Sequence, residues 1–171
     1  MKIEFGGGKS PKKINWIQCD IQDLPNIDIV CDAWKITDHV EKNSVEEIYS
    51  RHFLEHLTFA QAEACIKSWS AILKPDGKIQ IIVPNLEWHF KQFFDPQRHE
   101  KKIGNTNETI FERAVSGLYG KQTNGLEEVW DVHKSGWDFE MLEKLLSDNN
   151  FKDIKRVEDL IKNLNIIAKK E

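Results

Sequence analysis

Seven short apolar runs, with helical repeats between several of them, constrain the fold of this chain more than any other feature. Runs of this length between polar, glycine or proline segments are typical of strands buried in a sheet. The predicted strands are Lys2–Phe5, Ile14–Cys19, Ile27–Cys31, Ser44–Tyr49, Lys78–Val83, Phe151–Val157 and Asn163–Ala168. Strands that alternate with helices favour a mostly parallel sheet with right-handed crossovers.

Apolar residues recur at helical spacing in several of the intervening segments. The strongest repeat covers Thr58–Leu73, where Thr58 is a candidate N-cap and Lys74–Gly77 ends the helix. Asp138–Ser147 shows the same periodicity, with its apolar residues on one face. Shorter helical pieces are predicted near Leu86–Phe94 and Glu108–Leu118.

The link between the last two predicted strands limits the sheet topology. Glu158–Lys162 is too short to form a parallel crossover, so this final pair is predicted to be antiparallel. The sequence therefore predicts a mostly parallel sheet with one reversed strand. No linker or repeat marks a second domain, and residues 1–171 are expected to form a single domain.

Composition and charge limit the classes of function. Hydrophobic side chains make up 40% and charged ones 30%, a typical globular balance, and the net charge of −4 disfavours a broad nucleic-acid interface. The first strand runs directly into glycines, unlike a signal peptide, and no apolar run has the length of a membrane span. Isolated Cys19, Cys31 and Cys65 indicate free thiols in a reducing compartment, so a cytoplasmic location is expected.

Three consecutive glycines follow the first predicted strand, and the next two strands lead into aspartates. Glycine lets the backbone at Gly6–Gly8 approach a ligand more closely than any residue with a Cβ atom. Carboxylates at Asp20 and Asp32 suit the hydroxyls of a ribose or the amine edge of an adenine. Together these features predict a nucleoside-binding pocket.

Two other nucleotide-binding motifs fit the spacing less well. A P-loop has a longer glycine loop that opens a helix, whereas Gly8-Lys9-Ser10 is followed at once by Pro11. A dinucleotide fingerprint expects an acid about 20 residues after the glycines and a helix that receives the pyrophosphate. Asp20 follows Gly8 by only 12 positions, so the first crossover helix must be a single turn or absent. A nucleoside ligand without phosphates is therefore favoured.

The order and spacing of these motifs resemble those of the class I S-adenosylmethionine-dependent methyltransferases, especially a compact group with a shortened first crossover. The resemblance covers nearly the whole chain and departs from the pattern where Lys9 or Ser10 replaces the third glycine. The segments that carry it are Glu4-Phe5-Gly6-Gly7-Gly8, Asn15–Asp20, Val30–Trp34, Val45–Leu57 with its Leu-Glu-His sequence, Leu73–Pro84, Tyr119–Gln122 and His133–Trp137.

The resemblance implies a fold, a cofactor and a set of cofactor contacts. The fold would be α/β, a Rossmann-like three-layer sandwich with a mostly parallel seven-stranded sheet and an antiparallel last strand. The cofactor would be S-adenosyl-L-methionine, with Asp20 on the ribose and Asp32 beside the adenine. The cofactor-binding residues expected on this basis are Glu4, Phe5, Gly6, Gly7, Gly8, Asp20, Ile21, Asp32, Ala33, Trp34, Arg51, His52 and His56.

The same resemblance implies methyl transfer to an acceptor. Residues 87–134 are expected to form a substrate-side insertion within the single domain, with a small molecule or a glycan as the preferred acceptor and no membrane partner. His133 and His52 are the expected catalytic residues, with His133 the first candidate for a general base, and no metal site is predicted. The expected substrate-binding residues are Tyr119, Asp131, His133 and Trp137.

Two alternative functions stay open at this point. The missing crossover helix and third glycine also fit a non-catalytic protein with a methyltransferase fold, which holds the cofactor or nothing and serves as a partner or sensor. A nicotinamide-dependent reductase is a further alternative, which the spacing of Gly8 and Asp20 disfavours.

Overall fold

A mixed seven-stranded sheet forms the centre of the computed structural model, which describes residues 1–123, 130–157 and 161–171. The strand order is β3-β2-β1-β4-β5-β7-β6. Strands β1 to β5 are parallel to one another, whereas β7 is antiparallel to both β5 and β6. The strands are β1 (Lys2–Phe5), β2 (Ile17–Asp20), β3 (Ile29–Val30), β4 (Val45–Arg51), β5 (Leu73–Pro84), β6 (Phe151–Arg156) and β7 (Asn163–Lys170).

This topology confirms the predicted mostly parallel sheet with an antiparallel last strand. Residues 158–160 of the predicted β6–β7 link lie outside the described residues, but the antiparallel pairing of the two strands is clear from their register. Strand β5 begins earlier than predicted because Leu73 pairs with Val45 before the turn at Lys74–Gly77.

Four α-helices are described, at the places where the apolar periodicity predicts them. They are α1 (Phe59–Ile72), α2 (Leu86–Phe93), α3 (Ile110–Tyr119) and α4 (Phe139–Ser147). Helix α1 begins with a capping box, in which Thr58 Oγ1 accepts from the amide of Gln61 and Gln61 Oε1 accepts from the amide of Thr58. The longest of these helices has 14 residues, and none in the described ranges combines the length and apolar character of a bilayer span.

The first crossover contains no helix, as the spacing of Gly8 and Asp20 predicts. Residues 6–16, all of them described, run from β1 to β2 through bends and turns. The next link, residues 21–28, has no helix either, and Ala33–Asp38 between β3 and β4 forms a 3₁₀ helix. The three links between β1 and β4 therefore contain no α-helix, in contrast to a sheet with a crossover helix in every link.

The apolar core lies on one face of the sheet. Phe5 on β1 contacts the ring of Trp69 on α1, with ring centroids 4.5 Å apart. Helix α4 adds Leu142 and Leu146 to the same core. The strand residues that face these helices include Ile3, Ile48, Ile79, Ile81, Val83, Leu164, Ile166 and Ala168. The residues directly before and after each of these point to the opposite face of the sheet.

The opposite face of the sheet is largely polar. Lys2, Glu47, Lys78 and Lys169 occupy successive register positions across β1, β4, β5 and β7. A shallow cavity of about 270 Å³ on this face is lined by strand residues together with Lys13 and Trp16 of the first crossover. Beside this cavity the first crossover contributes turns and bends in place of a helix.

Candidate active site

A cavity of about 420 Å³ opens at the carboxyl ends of β1 and β2 and beside the start of the 3₁₀ helix. We call this space the first cavity. Ligands of open parallel sheets bind at this edge, where the strand order reverses on either side of β1 and β4. The residues that line it are Gly6, Gly8, Cys19, Asp20, Ile21, Gln22, Cys31, Asp32, Ala33, Trp34, His52, Phe53, His56, Leu57, Gln61, Trp130 and Lys134.

Glycine is required at the point where the first crossover leaves β1. Gly6 has a φ of +72°, and a Cβ atom there would lie 2.4 Å from the ring of Phe53. Gly8 has a φ of +51° but faces open space. The first glycine therefore permits the close packing of the turn on Phe53, and the third leaves bare backbone at the wall of the first cavity.

Two carboxylates hold the short crossover in place. Glu4 accepts from the amides of Lys12 and Lys13 at distances of 2.6–2.9 Å, and Asp20 Oδ2 accepts from the amide of Gly8 at 3.1 Å. The other oxygen of Asp20 accepts from the amide of Gln22 at 3.0 Å. Because each carboxylate oxygen can accept two hydrogen bonds, Asp20 keeps acceptor capacity toward the first cavity.

Asp32 and the residues after it form the far wall of the first cavity. Asp32 precedes the 3₁₀ helix and pairs with Lys35, with an Oδ2–Nζ distance of 2.8 Å. Buried Ala33 and half-buried Trp34 follow it along this wall. An acid, a small residue and an aromatic ring at adjacent positions can contact the edge and the face of a planar heterocycle.

A second cavity of about 510 Å³ lies beside the first, at the ends of β4 and β5 and against α2 and α3. His52 and His56 line both cavities, so the two spaces meet at these side chains. His52 has a φ of +49°, a left-handed conformation that is uncommon for a residue other than glycine. Such conformations are often found at functional sites.

Four imidazole and carboxyl groups lie where the two cavities meet. Glu55 is only 1% exposed, and its Oε1 lies 3.1 Å from Nδ1 of His52. His56 Nδ1 lies 3.1 Å from the carbonyl oxygen of Val132. The rings of His56 and His133 are in edge-to-face contact, with centroids 5.0 Å apart. This group joins β4 to the segment that follows α3.

His133 is held in the second cavity by a contact with helix α3. Its Nδ1 lies 3.0 Å from the carbonyl oxygen of Gly117 on α3. Burial lowers the pKa of His133 below its usual value, and the charge of Glu55 only partly offsets this effect. A neutral imidazole at neutral pH has a free ring nitrogen that can accept a proton.

Basic side chains surround the outer part of the second cavity. Partial burial lowers the pKa of Lys162, and the neighbouring positive charge of Arg113 lowers it further. Arg51 and Lys121 line the same cavity, and Arg113 also pairs with Glu108. The cavity can therefore attract an anionic group more readily than the net charge of the chain suggests.

The structure places several predicted site residues away from the first cavity. Phe5 is in the core against Trp69, and the carboxylate of Glu4 is occupied by two backbone amides. Gly7 packs against Gln18 and Pro11. Arg51 lines the second cavity and not the first.

Two predicted substrate-binding residues also lie outside the second cavity. Trp137 is buried, its ring contacts Phe59 and its Nε1–H donates to Ser135 Oγ at 3.0 Å, so it belongs to the core. Tyr119 is 60% exposed at the end of α3. Asp131 and His133 do line the second cavity.

Sequence reasoning missed some residues that line the two cavities. The first cavity is bordered by Trp130 and Lys134, which follow α3 in the chain. The second cavity is bordered by His89 on α2 and Arg113 on α3. The sequence offered two signals: Lys134 directly follows His133, and Trp130 is one of the aromatic residues of the 87–134 segment.

Comparison with solved structures shows that this fold is shared with proteins described as S-adenosylmethionine-dependent methyltransferases. A methyltransferase from Archaeoglobus fulgidus described as S-adenosylmethionine-dependent is 16% identical with a TM-score of 0.63; the match covers 99% of this chain and 85% of that one. A methyltransferase from Methanosarcina mazei, also described as S-adenosylmethionine-dependent, is 15% identical with a TM-score of 0.60. This match covers 99% of this chain and 91% of that one. No protein-family model and no curated protein matches the sequence.

Some structural neighbours are much longer than this chain. The CurJ carbon methyltransferase is 12% identical with a TM-score of 0.55, and the match covers 99% of this chain but 48% of that protein. At these levels of identity the likeness establishes the fold alone. Activity must be argued from the residues of the two cavities.

Proposed function

We propose that this chain binds S-adenosylmethionine in the first cavity and transfers its methyl group to an acceptor in the second. The observation that carries the proposal is the meeting of the two cavities at His52 and His56, beside a glycine turn and Asp20. Structural neighbours described as S-adenosylmethionine-dependent methyltransferases support this choice of cofactor. A volume of about 420 Å³ is within the range of small-molecule sites.

The residues of the first cavity fit an adenosyl group. Asp20 has acceptor capacity left for ribose hydroxyls, and charge-assisted bonds of this kind contribute on the order of 1.5–3 kcal/mol each when shielded from water. Asp32, Ala33 and Trp34 would contact the adenine, and Gly8 would border the methionine end. When bound, the cofactor supplies a methyl group already activated by positively charged sulfur.

The chain itself would contribute alignment and proton acceptance. Packing around His52, Phe53 and Leu57 would exclude water and fix the line of approach, and alignment of this kind can lower a barrier by several kcal/mol. His133 would accept the proton of a hydroxyl or amine acceptor at its free ring nitrogen. His52, which Glu55 orients through Nδ1, is the second candidate.

The acceptor would be a small molecule or a glycan unit, bound by part of the 87–134 segment. The basic side chains Arg51, Arg113, Lys121 and Lys162 favour an acceptor that carries a negative group. The net charge of −4 argues against a long nucleic acid in the same place.

One observation supports the alternative of a non-catalytic protein with this fold. The amide of Gly8 already donates to Asp20, so the shortened turn offers fewer free donors to the methionine end of a cofactor. A protein of this kind would bind the cofactor weakly or not at all, and the two proposals are separated by the affinity for the cofactor.

Titration calorimetry with S-adenosylmethionine and its demethylated product tests the proposal. We expect both to bind, and we expect Asp20→Asn to weaken binding roughly 10- to 100-fold because a charge-assisted acceptor is lost. Asp23→Asn, at an exposed position outside both cavities, is the matched control. Absence of binding of either compound at millimolar concentration would favour the non-catalytic alternative.

Turnover tests the role of His133 once an acceptor is known. Formation of the demethylated product can be followed over a panel of phosphorylated sugars, glycans and small amines. We expect His133→Ala to lose most of its turnover while it keeps the wild-type affinity for the demethylated product. Full turnover in this variant would exclude His133 as the general base.

A further inference from the structure

Glu55, His56 and His133 form a cluster that the proposed function leaves partly unexplained. One carboxylate oxygen of Glu55 and one ring nitrogen of each histidine lie within 4.8 Å of one another. The three residues line the second cavity, and His56 also lines the first. No other group of three or more metal-binding side chains is found in the described parts of the chain.

Backbone carbonyls orient both histidines of this cluster. His56 Nδ1 lies 3.1 Å from the carbonyl oxygen of Val132, and His133 Nδ1 lies 3.0 Å from that of Gly117. A carbonyl oxygen can only accept, so each Nδ1 carries the hydrogen and each Nε2 carries a free lone pair. Histidines that bind metals are commonly oriented in this way through their second nitrogen.

Glu55 contributes a carboxylate oxygen for which the described part of the chain offers no hydrogen-bond partner. Its Oε1 lies 3.1 Å from Nδ1 of His52, whereas its Oε2 is buried and unpaired among the described residues. The side chain is 1% exposed. A buried carboxylate oxygen without a hydrogen-bond partner is costly, and in native proteins such a group indicates an unseen ion, water or functional role.

We propose that Glu55, His56 and His133 bind one divalent transition-metal ion, for which Zn²⁺ is the natural first choice. Two imidazoles and one carboxylate suit zinc better than magnesium or calcium, which prefer oxygen ligands. Zinc bonds of about 2.1 Å in tetrahedral geometry hold ligand atoms roughly 3.4 Å apart, so small side-chain rotations are needed to close the cluster.

Three protein ligands leave at least one coordination position for another molecule. Zinc sites with three protein ligands are typically catalytic, because the open position binds water or substrate. Here it would face the second cavity, where the proposed acceptor binds. With an ion bound, His133 is a ligand and no longer accepts a proton, so metal binding and general-base catalysis by His133 are alternative roles.

Metal binding by the full-length protein, prepared without a histidine tag and stripped with a chelator, tests this site. We expect calorimetry to show one equivalent of Zn²⁺, with binding at least about tenfold weaker in Glu55→Gln and in His133→Ala. His39→Ala is the matched control because His39 is exposed and lies outside both cavities. We expect its affinity for Zn²⁺ to equal that of the wild type.

Co²⁺ and thermal unfolding provide readouts that do not depend on activity. We expect Co²⁺ to give a visible absorption spectrum without a thiolate charge-transfer band, which would otherwise indicate binding by Cys31 or Cys19. We expect Zn²⁺ to raise the Tm of the wild type and of His39→Ala but not of Glu55→Gln. These variants stay informative even if Glu55→Gln is less stable, because the shift in Tm is compared within each protein.

The site is excluded if no stoichiometric Zn²⁺ binding occurs, or if Glu55→Gln and His133→Ala bind as tightly as the wild type. Affinity for the demethylated product is measured separately in the chelator-treated protein. If the wild type binds the demethylated product but no Zn²⁺, this site is overturned and the proposed function stays in place. The reverse result would support the metal site and contradict the proposed function.

Discussion

Burial of His89 makes the stability of the protein depend on pH. The side chain lies between α2 and α3, close to His133, Arg113 and Lys162, and burial lowers its pKa from 6.5 to about 4. Below pH 6.5 the unfolded chain takes up a proton that the folded chain refuses, so the free energy of unfolding falls as the pH falls from 6.5 toward 4. Above that range His89 is neutral in both states and has no such effect.

Replacement of His89 by leucine should remove this pH dependence. Between about pH 7.5 and about pH 5, we expect the free energy of unfolding of the wild type to fall by about 2 kcal/mol more than that of His89→Leu. Urea denaturation at the two pH values measures the difference. His39→Leu, at an exposed position, should behave like the wild type. An equal fall in all three proteins would show that His89 titrates normally.

Cys31 should be the thiol that reports on the first cavity. It is half-buried and lines that cavity, and its Sγ lies 3.7 Å from that of Cys19. The hydrogen bond from Cys19 lowers the pKa of Cys31, and the same contact raises the pKa of Cys19. The thiolate therefore forms on Cys31, and thiolates are the form that alkylating reagents attack.

Iodoacetamide labelling followed by peptide mass spectrometry tests this expectation. We expect Cys31 to react first and saturating demethylated cofactor to slow its labelling by about tenfold or more, since the ligand covers it. Cys65 is buried and serves as the internal control, since its slow labelling should depend on global unfolding alone. Unchanged labelling of Cys31 in a complex that calorimetry shows to be saturated would place the ligand elsewhere.

Helix α3 positions His133 through small residues at its C-terminal end. Gly120 has a φ of +83°, and a Cβ atom there would lie 1.7 Å from the carbonyl oxygen of Asp131. The carbonyl of Gly117, one turn earlier, accepts from His133. The end of α3 can therefore hold the 131–133 segment against the second cavity only if residue 120 has no side chain.

Gly120→Ala should displace the segment that carries His133 and leave the sheet intact. We expect Gly120→Ala to lower the free energy of unfolding by about 1–3 kcal/mol more than Gly104→Ala does. Gly104 is the matched control because its φ is also positive, at +53°, but no atom lies within 4 Å of the position of a new Cβ. Hydrogen exchange of the amides of Lys134 and Ser135, which both donate to the carbonyl of Glu55, should become faster in Gly120→Ala alone. Equal exchange in both variants would contradict this role of Gly120.

Much of the element-level structure follows from local sequence signals. Strand β1 has the predicted bounds because Lys2–Phe5 runs directly into glycine, and α1 begins after Thr58 because the capping box is encoded within four residues. Contacts between distant segments could not be predicted in this way. Trp137 is predicted to bind substrate, but its ring is buried and contacts Phe59, which is far away in the sequence.

The cluster of Glu55, His56 and His133 also depends on contacts between distant segments that the sequence does not reveal. Glu55 and His56 follow β4, whereas His133 comes after α3, and only the packed structure shows that their ligand atoms converge. The sequence contains no short metal-binding motif that joins them, and for this reason no metal site was predicted. To predict that residues so far apart in the sequence meet, one would have to know where α3 and the 131–135 segment lie in the fold.

On the scale of the whole molecule, the sheet has one apolar and one largely polar face. The sequence contains this signal, because Lys2-Ile3-Glu4-Phe5 alternates polar and apolar residues with the two-residue period of a strand. The short spacing between Gly8 and Asp20 likewise predicted that the first crossover helix would be a single turn or absent. The first two links, residues 6–16 and 21–28, indeed contain no helix.

Two adjacent isoleucines on β7 test this one-sided core. Ile166 is 1% exposed and pairs with Ile81 on the helix-covered face, whereas Ile167 is 39% exposed and pairs with Gln80 on the other. We expect Ile166→Ala to lower the free energy of unfolding by about 2–5 kcal/mol and Ile167→Ala by less than about 1 kcal/mol. Urea denaturation of both variants measures the difference. The two residues share a strand and lose the same atoms, so the difference between the two free energies of unfolding reports burial alone. Equal decreases in both variants would mean that a further layer covers the polar face.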